Sequence, residues 1–78
     1  QNIQKNNLQN GDLVTSFRKE NVTCIVVFFY RSKQNWGSQY FYPKHDYEDS
    51  DSHILKSFLM QFYQNKEPPA EIVLNLSP

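Results

Sequence analysis

The sequence predicts one small α+β domain, a three-stranded antiparallel meander followed by one helix and a further strand, β-β-β-α-β. Three features predict it. Val22–Arg31 is apolar on both alternating sets of positions, the pattern of a central strand covered on each face. Ser52–Asn65 repeats apolar residues at spacings of three and four, the period of an amphipathic helix. Glu71–Leu76 sets Ile72, Leu74 and Leu76 at every second position, the period of a strand.

The elements follow in chain order. Residues 1–10 carry almost no hydrophobic periodicity and read as a linker or tether, so the domain is expected over residues 11–78. Asp12–Arg18 reads as the first strand, with Leu13, Thr15 and Phe17 on one side. Lys19, Glu20 and Asn21 form the hairpin turn into Val22–Arg31. Ser32–Asn35 bends the chain into a third strand, Trp36–Tyr42, ended by Pro43, which has no N–H to give a ladder. Lys44–Asp51 is a polar, acidic loop whose Asp49, Ser50 and Asp51 suit a helix N-terminus by capping and by charge. In the helix, Ile54, Leu55, Phe58, Leu59 and Phe62 share one face, and Lys66 suits the dipole at the far end. Pro68 and Pro69 stop the helix, and a right-handed crossover is expected to bring Glu71–Leu76 back to the same sheet. This order is that of the front half of an RNase H-like fold, and it is equally close to many other small α+β sandwiches, so topology alone does not decide between them.

Composition excludes several classes. Eight basic and eight acidic residues give zero formal net charge, so no global field draws the chain to nucleic acid or to an anionic membrane. No run approaches the roughly 18 apolar residues of a membrane span, and no signal-peptide pattern opens the sequence. The single cysteine, Cys24, sits in the most apolar strand and reads as a buried, inert thiol. This usage suits a reducing cytoplasm, the expected location.

A two-metal nuclease on an RNase H-like sheet needs carboxylates inside the first strand, on the helix and at the end of the fourth strand. Leu13–Phe17 and the Ser52–Asn65 helix offer none, the fourth strand offers Asn75, and Asp12 stands at the start of its strand. Asp46, Glu48, Asp49 and Asp51 read as a solvated, helix-capping loop, because the glycine-spaced calcium pattern is missing. His45 reads as an exposed loop histidine and His53 as a first-turn helix histidine. No nucleophile elbow, Cys/His pair or phosphate-binding glycine loop is present. The expectation is a chain with no catalytic residue, no metal site and no cofactor.

Binding is a different matter. Arg31, Lys33 and Lys44 flank Trp36 and the tyrosines Tyr40 and Tyr42, a mixture that can follow a phosphate backbone and stack bases. Arg31, Lys33, Trp36 and Lys44 are therefore candidates for contact with nucleic acid. Tyr40, Tyr42, Met60 and Tyr63 fall on or beside the packing stripes and are candidates for contact with a neighbouring domain.

These residues resemble a known family pattern. Phe28–Arg31 (FFYR), Trp36-Gly37-Ser38 and Tyr42-Pro43-Lys44 are similar to a segment of the UvrC excinuclease family that runs F-F-x-R, L-G-S-R, F-F-P-K. Phe58-Leu59, Gln61-Phe62-Tyr63, Pro68-Pro69 and Glu71–Leu74 continue the resemblance, which covers most of Asp12–Leu76. The sequence departs at Ser32-Lys33, where the family has glycines, at Trp36, where it has leucine, and at Gln39, where it has arginine. The resemblance implies a piece of the bacterial nucleotide excision repair nuclease, which joins UvrB on damaged DNA and cuts on both sides of the lesion. It implies the central region, between the UVR segment and the C-terminal nuclease, with an RNase H-like unit that lacks a working site. The implied partners are other domains of the same chain, with UvrB and damaged DNA reached through the parent protein, and no membrane. Two classes of function follow: a non-catalytic domain that positions the nuclease ends, or an autonomous nucleic-acid-binding module.

Overall fold

A computed structural model describes residues 10–32 and 34–76. The linker expected over residues 1–10 lies outside the described residues, apart from Asn10. Lys33 and residues 77–78 lie outside them as well. The elements are β1 (Asn10–Lys19), β2 (Val22–Arg31), β3 (Gln34–Phe41), α1 (Asp51–Phe62) and β4 (Glu71–Leu76). They build one sheet in the order β3-β2-β1-β4. β1 runs antiparallel to β2 and parallel to β4, and β2 runs antiparallel to β3. The β-β-β-α-β order of the α+β fold read from the sequence is therefore present.

Element boundaries moved where pairing outran local signal. β1 begins at Asn10, not Asp12, because Asn10 pairs with Arg31 and extends the ladder. That extension places Asp12 inside the strand. β3 begins at Gln34 and ends at Phe41, since Gln34 also pairs with Arg31. The hairpin turn needs only Glu20 and Asn21, and Glu20 adopts a left-handed φ of 57°. The register shifts between Phe29 and Tyr30 because Trp36 is an extra residue on β3, a bulge, and Gly37 beside it takes φ 142°, a backbone state that side chains disfavour.

The helix starts where its caps dictate. Ser50 Oγ accepts the His53 N–H at 3.1 Å, and Asp51 puts a negative charge in the first turn. It ends at Phe62, three residues short of the sequence expectation. Tyr63 has left helical geometry (φ −97°, ψ 8°), and its hydroxyl reaches back to the sheet. Lys66 does not lie in the last turn; its ammonium sits 4.3 Å from the Phe62 ring centroid.

The core lies between α1 and one face of the sheet. Val14, Ile25, Val27, Leu55 and Phe62 are buried together, with Phe29, Phe41, Phe58, Leu59 and Tyr63 packed around them. Strand alternation assigns this face to the even positions of β1 and the odd positions of β2. α1 covers that face alone. The expectation that β2 is covered on both sides therefore holds for one side among the described residues. Ile72 and Leu74 share the helix side through the parallel register, yet they stay exposed because α1 does not reach over β4.

Candidate functional site

Two arginines organise the charged chemistry. Arg31 ends β2 on the helix side. Its Nη1 donates to Gly11 O at 3.0 Å, Tyr30 O at 2.8 Å and Asp12 Oδ1 at 3.2 Å. Asp12 is only 2% exposed. Its other oxygen, Oδ2, accepts the Tyr63 hydroxyl at 2.6 Å. Sheet and helix end are thus joined through one buried carboxylate, with each oxygen occupied. Burial, then the hydrogen bond to Asp12, then the negative charge of Asp12 push the Tyr63 hydroxyl well above the usual tyrosine pKa.

That shift sets a pH dependence. Tyrosine in an unfolded chain ionises near pH 10. The folded state holds the Tyr63 proton more tightly, so the stabilisation is complete below about pH 10 and is lost as pH rises toward the folded value. Melting temperature is expected to fall above pH 10 in the native chain and to fall less steeply in Tyr63→Phe. Parallel curves for the two proteins would show that Tyr63 is not linked to folding.

Arg18, on β1, holds the acidic loop. Its guanidinium donates to Glu20 O at 2.8 Å, Tyr47 O at 2.8 Å, Asp49 O, and Asp51 Oδ1 at 3.1 Å. Within the loop, Asp46 N–H donates to Asp49 Oδ2 at 2.9 Å. His45 is half-buried, which corrects its reading as an exposed loop residue. Its Nδ1 donates to Asp46 O at 2.9 Å, so in the neutral ring Nε2 accepts from the Thr23 hydroxyl at 2.8 Å. His53 is exposed in the first turn of α1, as its position implies. Both histidines line a shallow cleft of about 600 Å³ with Lys44, Asp49 and Met60.

The wider element bounds bring two acids into the framework where none was expected: Asp12 inside β1 and Asp51 at the start of α1. Each is paired to an arginine, Asp12 to Arg31 and Asp51 to Arg18. Among the described residues, no group of three or more His, Cys, Asp or Glu could hold a metal ion.

The candidate nucleic-acid residues do not form one patch. Arg31 turns toward the helix side and is bonded there. Trp36 is 72% exposed at the bulge of β3. Lys44 follows the opposite end of β3, because Phe41 pairs with Ile25 while Gln34 pairs with Arg31. Six residue steps along β2 separate these pairings, roughly 20 Å at about 3.3 Å per step. Lys33 lies outside the described residues. Of the candidate interdomain residues, Tyr40 and Tyr42 lie on the sheet face away from α1, Met60 is exposed on α1, and Tyr63 is half-buried against Asp12. The Tyr42 hydroxyl is raised in pKa by its hydrogen bond and charge interaction with Cys24. Cys24 is half-buried, less enclosed than its apolar strand suggests. Among the described residues no helix is long and apolar enough to cross a membrane.

Reading by element missed the Asp12–Arg31 pair. Its signal was present. Counting back from a two-residue turn pairs Asp12 with Phe29, and Arg31 is then its diagonal neighbour on the same face.

Comparison with known proteins gives one consistent result. The UvrC Ribonuclease H-like domain matches residues 10–78. The chain is 43% identical over 77 residues to UvrABC system protein C of Bartonella henselae, covering 99% of the chain and 12% of that protein. It is 39% identical over 75 residues to UvrABC system protein C of Maricaulis maris, covering 96% and 12%. It is 38% identical over 78 residues to UvrABC system protein C of Zymomonas mobilis, covering 100% and 12%. The chain therefore spans about an eighth of the length of these curated relatives. No solved structure matches it. The family match over nearly the whole chain, on a β-β-β-α-β sheet, places this protein in the UvrC ribonuclease H-like domain family.

Proposed function

We propose that this chain is a non-catalytic domain of the UvrC nuclease of nucleotide excision repair, and that it positions the nuclease parts of that polypeptide on damaged DNA. The observation that carries this reading is the state of Asp12. An acid in the first strand of an RNase H-like sheet is where metal-dependent phosphodiester chemistry would draw a ligand. Here that carboxylate is buried, with one oxygen on Arg31 and the other on Tyr63. A guanidinium supplies the positive charge that a divalent ion would bring, and the pair serves architecture. Partners in this reading are the other domains of the same polypeptide, with UvrB and damaged DNA reached through the assembly, in the cytoplasm.

The test uses the full-length protein with the rest of the repair system on a lesion-bearing duplex. Asp12→Asn keeps the side-chain shape and removes the charge. Both incisions are expected to persist in proportion to the folded fraction. Loss of one incision at an unchanged melting temperature would make Asp12 a reaction group and end the proposal. A DNA titration of the same protein against a variant lacking this domain separates the second class of function. A salt-steep loss of affinity traced to this domain would favour an autonomous nucleic-acid module.

A further inference from the structure

We infer that residues 44–49 form a polar strap over the hairpin end of the sheet, that this strap opens as a unit while the sheet and α1 stay folded, and that Arg18 is its latch.

The strap has no apolar anchor. None of its residues is fully buried, and Tyr47, its largest apolar group, is 68% exposed. A segment with few buried apolar contacts belongs to the low-stability end of a fold, where opening is local. Bonds within the strap keep it in one shape. Asp49 N–H donates to Asp46 O at 3.1 Å, and Asp46 N–H donates to Asp49 Oδ2 at 2.9 Å. His45 Nδ1 donates to the same Asp46 carbonyl at 2.9 Å. Release of the strap breaks none of these three bonds, so it moves as one piece.

Two side chains of the sheet tie the strap down. Arg18 and Thr23 stand opposite each other across the β1–β2 ladder, on the helix side. The buried Thr23 hydroxyl donates to His45 Nε2 at 2.8 Å. The Arg18 guanidinium donates to Tyr47 O at 2.8 Å and to Asp49 O. Its Nε is held apart from the strap, by Glu20 O at 2.8 Å in the β1–β2 turn. The two Nη atoms are therefore aimed at the strap before it closes, and the planar fork meets both carbonyls at once. The remaining Arg18 bond, to Asp51 Oδ1, belongs to the start of α1. That helix stays in place without the strap, because Ser50 caps it and Ile54, Leu55 and Phe62 are buried.

The strap is one wall of the shallow cleft beside α1. Lys44, His45 and Asp49 line that cleft from the strap, and His53, Ser57 and Met60 line it from the helix. Opening moves the first wall and leaves the second, so the cleft widens without any change in the core. It also brings the Thr23 hydroxyl, 2% exposed in the closed state, into contact with water. The fixed ends of the strap are half-buried Pro43 and the helix cap Ser50.

Hydrogen exchange of the full-length protein, followed by mass spectrometry at low urea, reads the opening directly. Strap amides are expected to exchange at a rate that urea barely changes, because local opening exposes little surface, while Val22–Arg31 amides exchange faster as urea rises. Arg18→Ala is expected to speed strap exchange by about tenfold or more and to leave Val22–Arg31 and residues 54–62 within about twofold of native. Arg18→Lys keeps the charge and loses the fork, and is expected to match Arg18→Ala. A common urea dependence for strap and β2 overturns local opening. Exchange that rises equally in β2, or an Arg18→Ala protein that does not fold, makes Arg18 a support of the whole sheet and overturns it as well. Native strap exchange in either variant overturns the latch. The Asp12→Asn incision result bears on the proposed function alone, so either reading can fail without the other.

Discussion

Arg31→Ala is expected to cost the fold about 3 kcal/mol, the lower end of the roughly 3–5 kcal/mol seen when one partner of a buried ion pair is removed. The loss comes from what is left behind. Asp12 is 2% exposed, and in the variant its Oδ1 faces the space that held a guanidinium. Two backbone carbonyls, Gly11 O and Tyr30 O, lose the same donor. Tyr63 still donates to Oδ2, and Arg31 keeps some contact with water, which is why the low end applies. Asp12→Asn is expected to cost less, because the amide retains the shape and leaves a partly solvated cation behind. A double change, Arg31→Met with Asp12→Leu, is expected to recover most of the loss, since it removes both charges together. Urea unfolding followed by circular dichroism gives all three values. An Arg31→Ala loss below 1 kcal/mol would mean that the pair contributes no more than a surface contact does.

The Arg31 result also shows where sequence reading succeeds and stops. Hydrophobic period alone located β2 and β4 at their observed bounds, because Val22–Arg31 is rich in β-branched and aromatic residues and Glu71–Leu76 alternates Ile72, Leu74 and Leu76 after the Pro68-Pro69 break. It undershot β1 and β3 at the ends where they pair with Arg31, since Asn10 and Gln34 join a ladder through backbone groups that carry no side-chain signal. The charged site was legible only through register. Arg31 at a strand end reads as solvated by default, and only its parity with Phe29 and Val27 turns it toward the helix. Arg18 was hidden for a different reason: its partners are mostly backbone carbonyls of a loop, Tyr47 O and Asp49 O, whose path no periodicity describes. Period read β2 as apolar on both faces, and that was correct as chemistry.

Phe62→Ala is expected to cost about 3–5 kcal/mol, the range for emptying a buried aromatic site. The ring closes the core at the C-terminal end of α1. It stacks on Phe58 at 5.3 Å between centroids, meets Phe41 edge-on at 5.4 Å, and meets Tyr63 edge-on at 4.9 Å. Phe41 and Phe58 also touch at 5.1 Å, so three rings share one cluster that joins helix to edge strand. Each such pair adds about 0.5–1.5 kcal/mol beyond area burial. Alanine at this position leaves a cavity that neither a β3 side chain nor the shortened helix can fill. Removing Phe62 also loosens the start of the segment that carries Tyr63 to Asp12, so the Asp12–Tyr63 bond is expected to weaken with it. A double-mutant cycle of Phe62→Ala with Tyr63→Phe measures that coupling, and an interaction energy of at least about 0.5 kcal/mol is expected for neighbours of this kind. Phe62→Leu keeps most of the volume and is expected to cost less than half as much. A domain of this size has roughly 0.05–0.15 kcal/mol of stability per residue, so the alanine variant stands near its unfolding threshold at 37 °C. If Phe62→Ala unfolds within 1 kcal/mol of the native chain, the aromatic cluster is surface packing, and the centre of stability lies with Val14, Ile25 and Val27 on the sheet.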